Sequence, residues 1–405
     1  METNTKRSDR QACDASIVAE VLSVFRDLHT AYSLQGDTWR ARAFKNAERA
    51  FSDGCLSTRG RLGSDPEFPL ESIPGIGKGV AHVIRTVIEQ QDTMTHEALL
   101  QELLLVHNNN NKASSLSLSS DLMTKLAAYK SFSNLLGVGT KKAVELVRAG
   151  YTCSDQLKSP VVRARHGLDR PLVVVGLQYE RELSRRVPRR DATCVIHRLQ
   201  RVLRSLSLSE SNNMTGPYDF IPLGSYRRGA SSVGDIDLLL TDDATCKDTT
   251  RERDEDVLST FGEACRVHLQ DDFVHLISKG ARRLSFLMKY QLSSSKGNDC
   301  RLTSDKGRGK KGVCQVDVFR MQDANEEASF LLYGTGNALF NEGMRQFAKS
   351  KGFKLNEYGL FDFSKGGGRR IEGVACEADI FSVLGLPFVD PKKRHRFIPP
   401  FPHHL

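Results

Sequence analysis

Between residues 224 and 237 the run Gly224-Ser225-Tyr226-Arg227-Arg228-Gly229 precedes Gly234-Asp235-Ile236-Asp237, setting a glycine turn and two arginines just ahead of two closely spaced carboxylates. In an extended strand alternate side chains share a face, so Asp235 and Asp237 point one way while Ile236, Leu238 and Leu240 point to an apolar face. Two close carboxylates repel unless a cation lies between them, and hard divalent ions such as magnesium prefer carboxylate and phosphate oxygens. A metal-bound triphosphate meets that demand. Ser225 and the amides around Gly224 and Gly234 could reach phosphate oxygens, because glycine puts no side chain in the way, and Arg228 could neutralise them bidentately. An Asp-x-Asp pair alone also suits an ordinary half-buried strand. The Gly-Ser and Arg-Arg elements upstream turn the reading toward nucleotidyl transfer.

Phosphoryl transfer on two carboxylates usually calls for a third acid. Residues 313–320 alternate, with Cys314, Val316 and Val318 on one face and Gln315, Asp317 and Phe319 on the other, which makes Asp317 the candidate. If the two strands are neighbours, one ion can touch all three acids while a second bridges Asp235, Asp237 and the triphosphate. The first would lower the pKa of an attacking hydroxyl and the second would stabilise a pyrophosphate leaving group. Asp317, touching only the first ion, is then the natural acceptor for the hydroxyl proton.

Two other stretches repeat one device. Ile73-Pro74-Gly75-Ile76-Gly77-Lys78 and Leu135-Leu136-Gly137-Val138-Gly139-Thr140-Lys141-Lys142 each set a tight glycine turn before a helix rich in Ala and Val. This is a helix-hairpin-helix pattern, in which backbone amides at a helix amino terminus receive a phosphate, so Gly75, Gly77, Lys78, Gly137 and Gly139 are candidate DNA contacts. Upstream, Ile17, Val21, Val24, Phe25 and Leu28 recur at helical spacing after a candidate cap at Asp14. Residues 39–44 open another helix, and burial of Trp39 in a small helical core is favoured over stacking on a nucleic-acid strand. His107, the four asparagines after it and the serine-rich stretch 114–120 read as a flexible inserted linker. Residues 293–312 read as a solvated surface loop, whose Lys306, Arg308, Lys310 and Lys311 could also brush DNA phosphates.

Composition agrees with a polyanionic partner: Lys plus Arg exceed Asp plus Glu by 58 to 49 in 405 residues, a net charge of +9. No apolar run approaches the roughly 18 residues of a membrane span, and Met1–Arg7 lacks the apolar core of a secretory signal, so a soluble intracellular protein is expected. The nine cysteines show no Cys-x-x-Cys and no zinc-like pairing with histidines, so free, reduced thiols are expected. The basic segment Pro391–Arg396 reads as a nuclear import signal or a DNA-binding chain end.

These motifs resemble the family X DNA polymerases of the DNA polymerase beta type, and the resemblance covers nearly the whole chain. It continues through Val316-Asp317-Val318, Tyr333-Gly334-Thr335-Gly336-Asn337, Phe340-Asn341-Glu342-Gly343-Met344-Arg345, Gly352-Phe353 and Leu355-Asn356-Glu357-Tyr358. It implies an α+β fold: two amino-terminal helical helix-hairpin-helix domains (1–100, lyase-like, and 101–170, DNA-gripping), a nucleotidyltransferase-type mixed-sheet palm (171–325), and a small α/β nascent-pair domain with a basic tail (326–405). It implies a template-directed polymerase that fills short gaps in base excision repair, adding deoxynucleotides to a primer 3′ end. Asp235, Asp237 and Asp317 would hold two Mg2+ ions, with Mn2+ as a substitute, and Arg186, Ser225, Arg228 and Gly234 the triphosphate. Tyr333 and Gly336 would line the sugar pocket, Asn341 would meet the incoming base and Arg345 the template strand. Ile73, Ile76, Leu135 and Val138 would lie beside Na+ or K+ ions bridging to DNA phosphate. Gapped or primed DNA and deoxynucleoside triphosphates are the implied partners, with repair-complex proteins beside them. A monomer is expected, in the nucleus, with the mitochondrion as the alternative.

Three departures from the family pattern qualify this. Val83 stands where the family's Schiff-base lysine belongs, so lyase activity is expected to be absent or to use another amine such as Lys78. Gly334 replaces an aromatic residue beside the sugar pocket, which adds backbone freedom and predicts weak exclusion of ribonucleotides. Ala338 and Glu342 replace polar or basic residues and predict a weaker substrate grip. A template-independent terminal transferase is the first alternative, although no long template-blocking loop is evident between Tyr179 and Asp235. The second is a non-enzymatic DNA-gap-binding scaffold, whose signature would be a missing acid.

Overall fold

The computed structural model describes residues 2–58, 69–90, 93–107, 112–207, 218–242, 257–292, 311–364 and 366–396. It forms two compact units, one built on Met1–Gln178 and the other on Tyr179–Arg394.

The first unit is helical: α1 (Glu2–Gln35), α2 (Thr38–Thr58), α3 (Lys78–Gln90), α4 (His96–His107), α5 (Lys112–Ser133), α6 (Thr140–Arg148), α7 (Pro160–Arg165) and α8 (Pro171–Gln178). The helical stripe Ile17, Val21, Val24, Phe25 and Leu28 is buried, and Phe25 meets Phe44 and Phe51 with ring centroids 6.0 and 5.9 Å apart. Helix α1 does not begin at Asp14; it already runs from Glu2, so Asp14 is interior and no cap. Trp39 is also not in the core, being 78% exposed. The inward stripe of α2 is Ala41, Phe44, Ala47 and Phe51, and Trp39 falls outside that 3.6-residue period. Residues 112–120 are the first turns of α5 rather than linker, and residues 108–111 lie outside the described residues. Serine is only mildly unfavourable within a helix, and α5 is held from its far end, where Ala128 and Phe132 pack with Leu135, Val138, Leu146 and Val147.

Both glycine turns have one hydrogen-bond skeleton. Gly75 and Gly137 adopt φ of +94° and +80°, which only glycine enters without a Cβ clash. The amide of Ile76 donates to Ile73 O and that of Val138 to Leu135 O, each at 3.0 Å. The next helix then begins identically, with Ala81 N on Gly77 O and Ala143 N on Gly139 O, each at 2.9 Å. The side chains of Ile73, Ile76, Leu135 and Val138 are buried and anchor the turns, while Gly77, Lys78 and Gly139 are exposed.

The second unit opens with α9 (Glu180–Leu183), β1 (Val187–Pro188), α10 (Arg189–Ser207) and β2 (Tyr218–Pro222). The short α11 (Gly224–Arg227), β3 (Ser232–Val233) and β4 (Ile236–Asp242) follow, then α12 (Val257–Leu269), β5 (Phe273–Lys279), β6 (Arg283–Gln291) and β7 (Lys311–Arg320). Strand order in the main sheet is β2-β4-β7-β6-β5, with β4 and β7 parallel and the other pairs antiparallel. One face packs on α10 and α12: Ile236, Leu238, Leu240, Val316 and Val318 join Val195, Leu199, Leu203, Phe261 and Cys265 in one core. The helices therefore cover one face of the sheet, and the acids occupy the other. Lys311, expected in a loop, is in β7 and pairs with Asp272 at 2.7 Å; Lys306, Arg308 and Lys310 lie outside the described residues.

The remainder comprises α13 (Glu327–Thr335), α14 (Ala338–Ser350), a small sheet of β8 (Phe353–Asn356), β9 (Gly359–Asp362) and β10 (Arg369–Arg370), and α15 (Glu377–Val383). The basic segment Pro391–Arg396 is a 3-10 turn, and its Arg394 is fully buried rather than displayed. Arg394 donates to Glu377 at 2.8 Å, and the same carboxylate takes Arg227 at 2.6 and 3.1 Å. Cys194 is disulfide-bonded, against the expectation of free thiols, whereas Cys153, Cys265, Cys314 and Cys376 are free. Among the described residues no helix is long and apolar enough to cross a membrane.

Because Glu377 balances a guanidinium with no access to water, its loss should strand a buried charge. Glu377→Ala is expected to destabilise the protein by about 3 kcal/mol in urea denaturation, and a change below about 1 kcal/mol would show the pair to be energetically silent.

Candidate active site

The parallel register of β4 and β7 sets Asp237 opposite Asp317, and Asp235 precedes β4 by one residue. The three carboxylates converge, with one oxygen from each lying within 4.8 Å of the others, a spacing that suits a metal ion. Asp235 is exposed, Asp237 partly buried and Asp317 almost wholly buried, at 2%. Asp317 is heavily bonded: Ser285 Oγ donates to its Oδ1 at 2.5 Å, Arg283 Nη2 to its Oδ2 at 2.9 Å, and Gln315 Nε2 reaches both oxygens. Ser285 shares a face with Asp317 because the two are partners in the β6/β7 register. Sequence alternation placed Gln315 beside Asp317 but missed Arg283 and Ser285. The one available signal was a lone serine within the apolar run Leu284-Ser285-Phe286-Leu287.

Burial, and next the charges of Asp235 and Asp317, push the Asp237 carboxyl from 3.8 up to about 7. Burial and the Asp317 charge also raise Asp235. Acceptor-only oxygens, mutual repulsion and a buried third member form a donor set that fits a divalent cation.

Helix α11 presents the turn ahead of these acids. Gly224 has φ +53°, and a Cβ there would collide with Asp237 Oδ2, so this glycine makes room for the carboxylate itself. Leu223 N donates to Asp237 O at 2.8 Å, which ties the turn to β4. Ser225 is half-buried in the turn, and Gly234 is exposed between β3 and β4. Arg186, just before β1, donates to Ser232 Oγ at 3.0 Å and Ser232 O at 2.6 Å, next to Gly234. Arg228 donates to Thr335 O at 2.5 Å. A Cβ added to Gly336 would lie 3.4 Å from Arg228 Nη1 and 3.9 Å from Asn341 Nδ2. Asn341 Nδ2 donates to Tyr333 O at 2.7 Å, while its buried Oδ1 has no partner among the described residues. Tyr333 is 46% exposed and sits edge-on to Phe330. Arg345 is exposed on α14. The fold thus gathers Arg228, Tyr333, Gly336 and Asn341, and separately Arg186 with Gly234.

Gly334 lies in the last turn of α13, and a Cβ there would press to 2.8 Å from Leu223. Leu223, Leu239 and Phe330 form a small core on the acid side of the sheet, so the missing side chain makes room for packing. Val83 is fully buried in α3, which excludes this position from covalent chemistry, and Lys78 is exposed where α3 begins. Residues 208–217, within the stretch between Tyr179 and Asp235 where a template-blocking loop would fall, lie outside the described residues.

A mixed sheet with three converging carboxylates on one face and an arginine-bearing glycine turn beside them defines a palm of the nucleotidyltransferase type. The family description DNA polymerase beta palm matches residues 186–285, and DNA polymerase beta thumb matches residues 330–395. DNA polymerase lambda of Rattus norvegicus is 26% identical over 376 residues, covering 91% of this chain and 54% of that protein. DNA polymerase lambda of Arabidopsis thaliana is 26% identical over 287 residues, covering 67% of this chain and 47% of that protein. The chain spans about half the length of these relatives. By these matches the chain is similar to the family X, DNA polymerase beta-like proteins.

The raised Asp237 carboxyl has a consequence for stability. Between pH about 4 and about 7 the folded protein holds a proton that the unfolded chain has released, so metal-free stability should fall as pH rises through this window. Asp237→Asn removes the penalty. In EDTA the variant is expected to match wild type near pH 4 and exceed it by on the order of a few kcal/mol at pH 8, read by chemical denaturation. A difference independent of pH would overturn the assignment.

Proposed function

We propose that the chain is a template-directed DNA polymerase that fills short gaps in repair of the base excision type, adding deoxynucleotides to a primer 3′ end. The observation that carries this reading is the convergence of Asp235, Asp237 and Asp317 on one sheet face. Asp235, Asp237 and Asp317 would hold two magnesium ions, or manganese in their place. Bound there, such ions supply Lewis acidity for the primer hydroxyl and for the leaving pyrophosphate. Asp317, shielded from water, accepts the hydroxyl proton. Arg186, Ser225, Arg228 and Gly234 hold the triphosphate through charge and close backbone approach. Tyr333 and Gly336 line the sugar, Asn341 offers its unpartnered Oδ1 to the base edge, and Arg345 reaches the template.

In the helical unit, Gly75, Gly77, Lys78, Gly137 and Gly139 receive backbone phosphates. The carbonyls beside Ile73, Ile76, Leu135 and Val138 suit a sodium or potassium ion. The repeated hydrogen-bond skeleton of the two turns supports a matched grip on two stretches of backbone. The four-part division of the chain and a nuclear site of action belong with this reading.

The decisive assay is magnesium-dependent extension across a one-nucleotide gap with each templating base, beside Asp317→Ala. Extension by the complementary nucleotide alone, reduced at least about a thousandfold in the variant, is expected. Untemplated addition would favour a terminal transferase, and tight gap binding without extension a scaffold. Borohydride trapping on a 5′-deoxyribose phosphate end is expected to give no covalent adduct; an adduct lost in Lys78→Ala would assign the lyase role to that amine.

A further inference from the structure

Among the described residues, Asp317 differs from Asp235 and Asp237 in holding a hydrogen-bonded guanidinium, that of Arg283. A carboxylate offers about four acceptor positions, and Arg283, Ser285 and Gln315 together make four contacts to Asp317. Nothing more can approach this group until one donor leaves. Ser285 is 1% exposed and held within β6, and Gln315 bridges both oxygens from the strand that carries Asp317. Arg283 is different: it stands at the first residue of β6, its side chain is 50% exposed, and it alone of the three is charged. Its guanidinium lies 5.4 Å from the Phe319 ring centroid, and Phe319 and Arg283 are register partners on the acid face. An exposed, ring-supported guanidinium can leave a carboxylate at small cost in burial, whereas the two neutral donors can stay and orient the freed oxygen.

We infer that Arg283 is the built-in counter-ion of Asp317, which an incoming first divalent cation must displace. The inference rests on the nucleotidyl-transfer reading of the three acids and adds a residue which that reading does not use. Arg283 neutralises the buried acid when no metal is bound, so the three carboxylates can coexist in the folded protein. The same contact opposes metal entry, because the cation gains Asp317 only as the guanidinium loses it. Arg283 is thus a positioning residue that sets the threshold of metal occupancy.

The test is Mn2+ binding, followed by electron paramagnetic resonance, to the full chain without DNA or nucleotide. Arg283→Gln keeps a hydrogen-bond donor and removes the charge, and it should bind the first Mn2+ about fivefold more tightly, as expected for removing a partly exposed ion pair. Arg283→Lys should stay near wild type. In an Asp317→Asn background Arg283→Gln should bring no gain. Unchanged or weaker binding in Arg283→Gln, or a gain that persists in the Asp317→Asn background, would overturn the inference. Thermal unfolding of each variant identifies any that fails to fold, and Arg283→Ala then repeats the neutral substitution. If wild type binds no Mn2+ that Asp237→Asn abolishes, the nucleotidyl-transfer reading itself falls. Binding abolished by Asp237→Asn but indifferent to Arg283 sinks the present inference alone.

Discussion

Asp237 and Asp317 oppose each other across the parallel pair β4 and β7, and this juxtaposition of like charges is the constraint on which the rest of the second unit depends. Parallel pairing keeps the two carboxylates level, and the antiparallel neighbour β6 delivers Ser285 to the same level. Burial, and next repulsion, drive Asp237 toward its neutral form, and a guanidinium and two neutral donors surround Asp317. Such a cluster persists because the opposite face of the same strands is packed on α10 and α12. Apolar burial across a whole sheet face, at roughly 25 cal/mol per Å2, supplies the stability that the acids withdraw.

The glycine turn follows from the same constraint. A side chain at residue 224 would occupy the space of the Asp237 carboxylate, so the element that would meet a triphosphate is pinned to the acids that would hold its metal. Its arginines then join this turn to the carboxyl-terminal part of the unit. Arg227 meets Glu377 and the Thr335 hydroxyl, and Arg228 meets the Thr335 carbonyl. Position 334 is small because Leu223, the residue just before the turn, fills the adjoining space. Acids, turn and the helices α13 and α15 are thereby mechanically continuous.

Where expectation and structure diverge, the cause is competition among local patterns. The hydrophobicity of Trp39 favours burial, yet the stripe of Ala41, Phe44, Ala47 and Phe51 already fills the inward face of α2. The serine-rich start of α5 has linker-like composition, but its continuation carries the residues that pack. Arg394 lies in a run that reads as solvent-seeking charge, and a single distant carboxylate, Glu377, turns it into a core residue. The disulfide at Cys194 likewise had no mark in cysteine spacing.

The sequence by itself marked out the residues that the structure brings together. Alternation about Asp235 and Asp237 and about Asp317, the glycine turn with its arginines, and the two Gly-x-Gly hairpins all follow from short-range periodicity and from the backbone freedom of glycine. Those properties are local, so neighbouring residues suffice to reveal them. Only the tertiary structure decided that β4 and β7 are parallel and adjacent, that Arg283 and Ser285 are the partners of Asp317, and that Glu377 holds both Arg227 and Arg394. These are contacts between residues 17 to 150 positions apart. They are set by strand order and register, and no local pattern of residues encodes them.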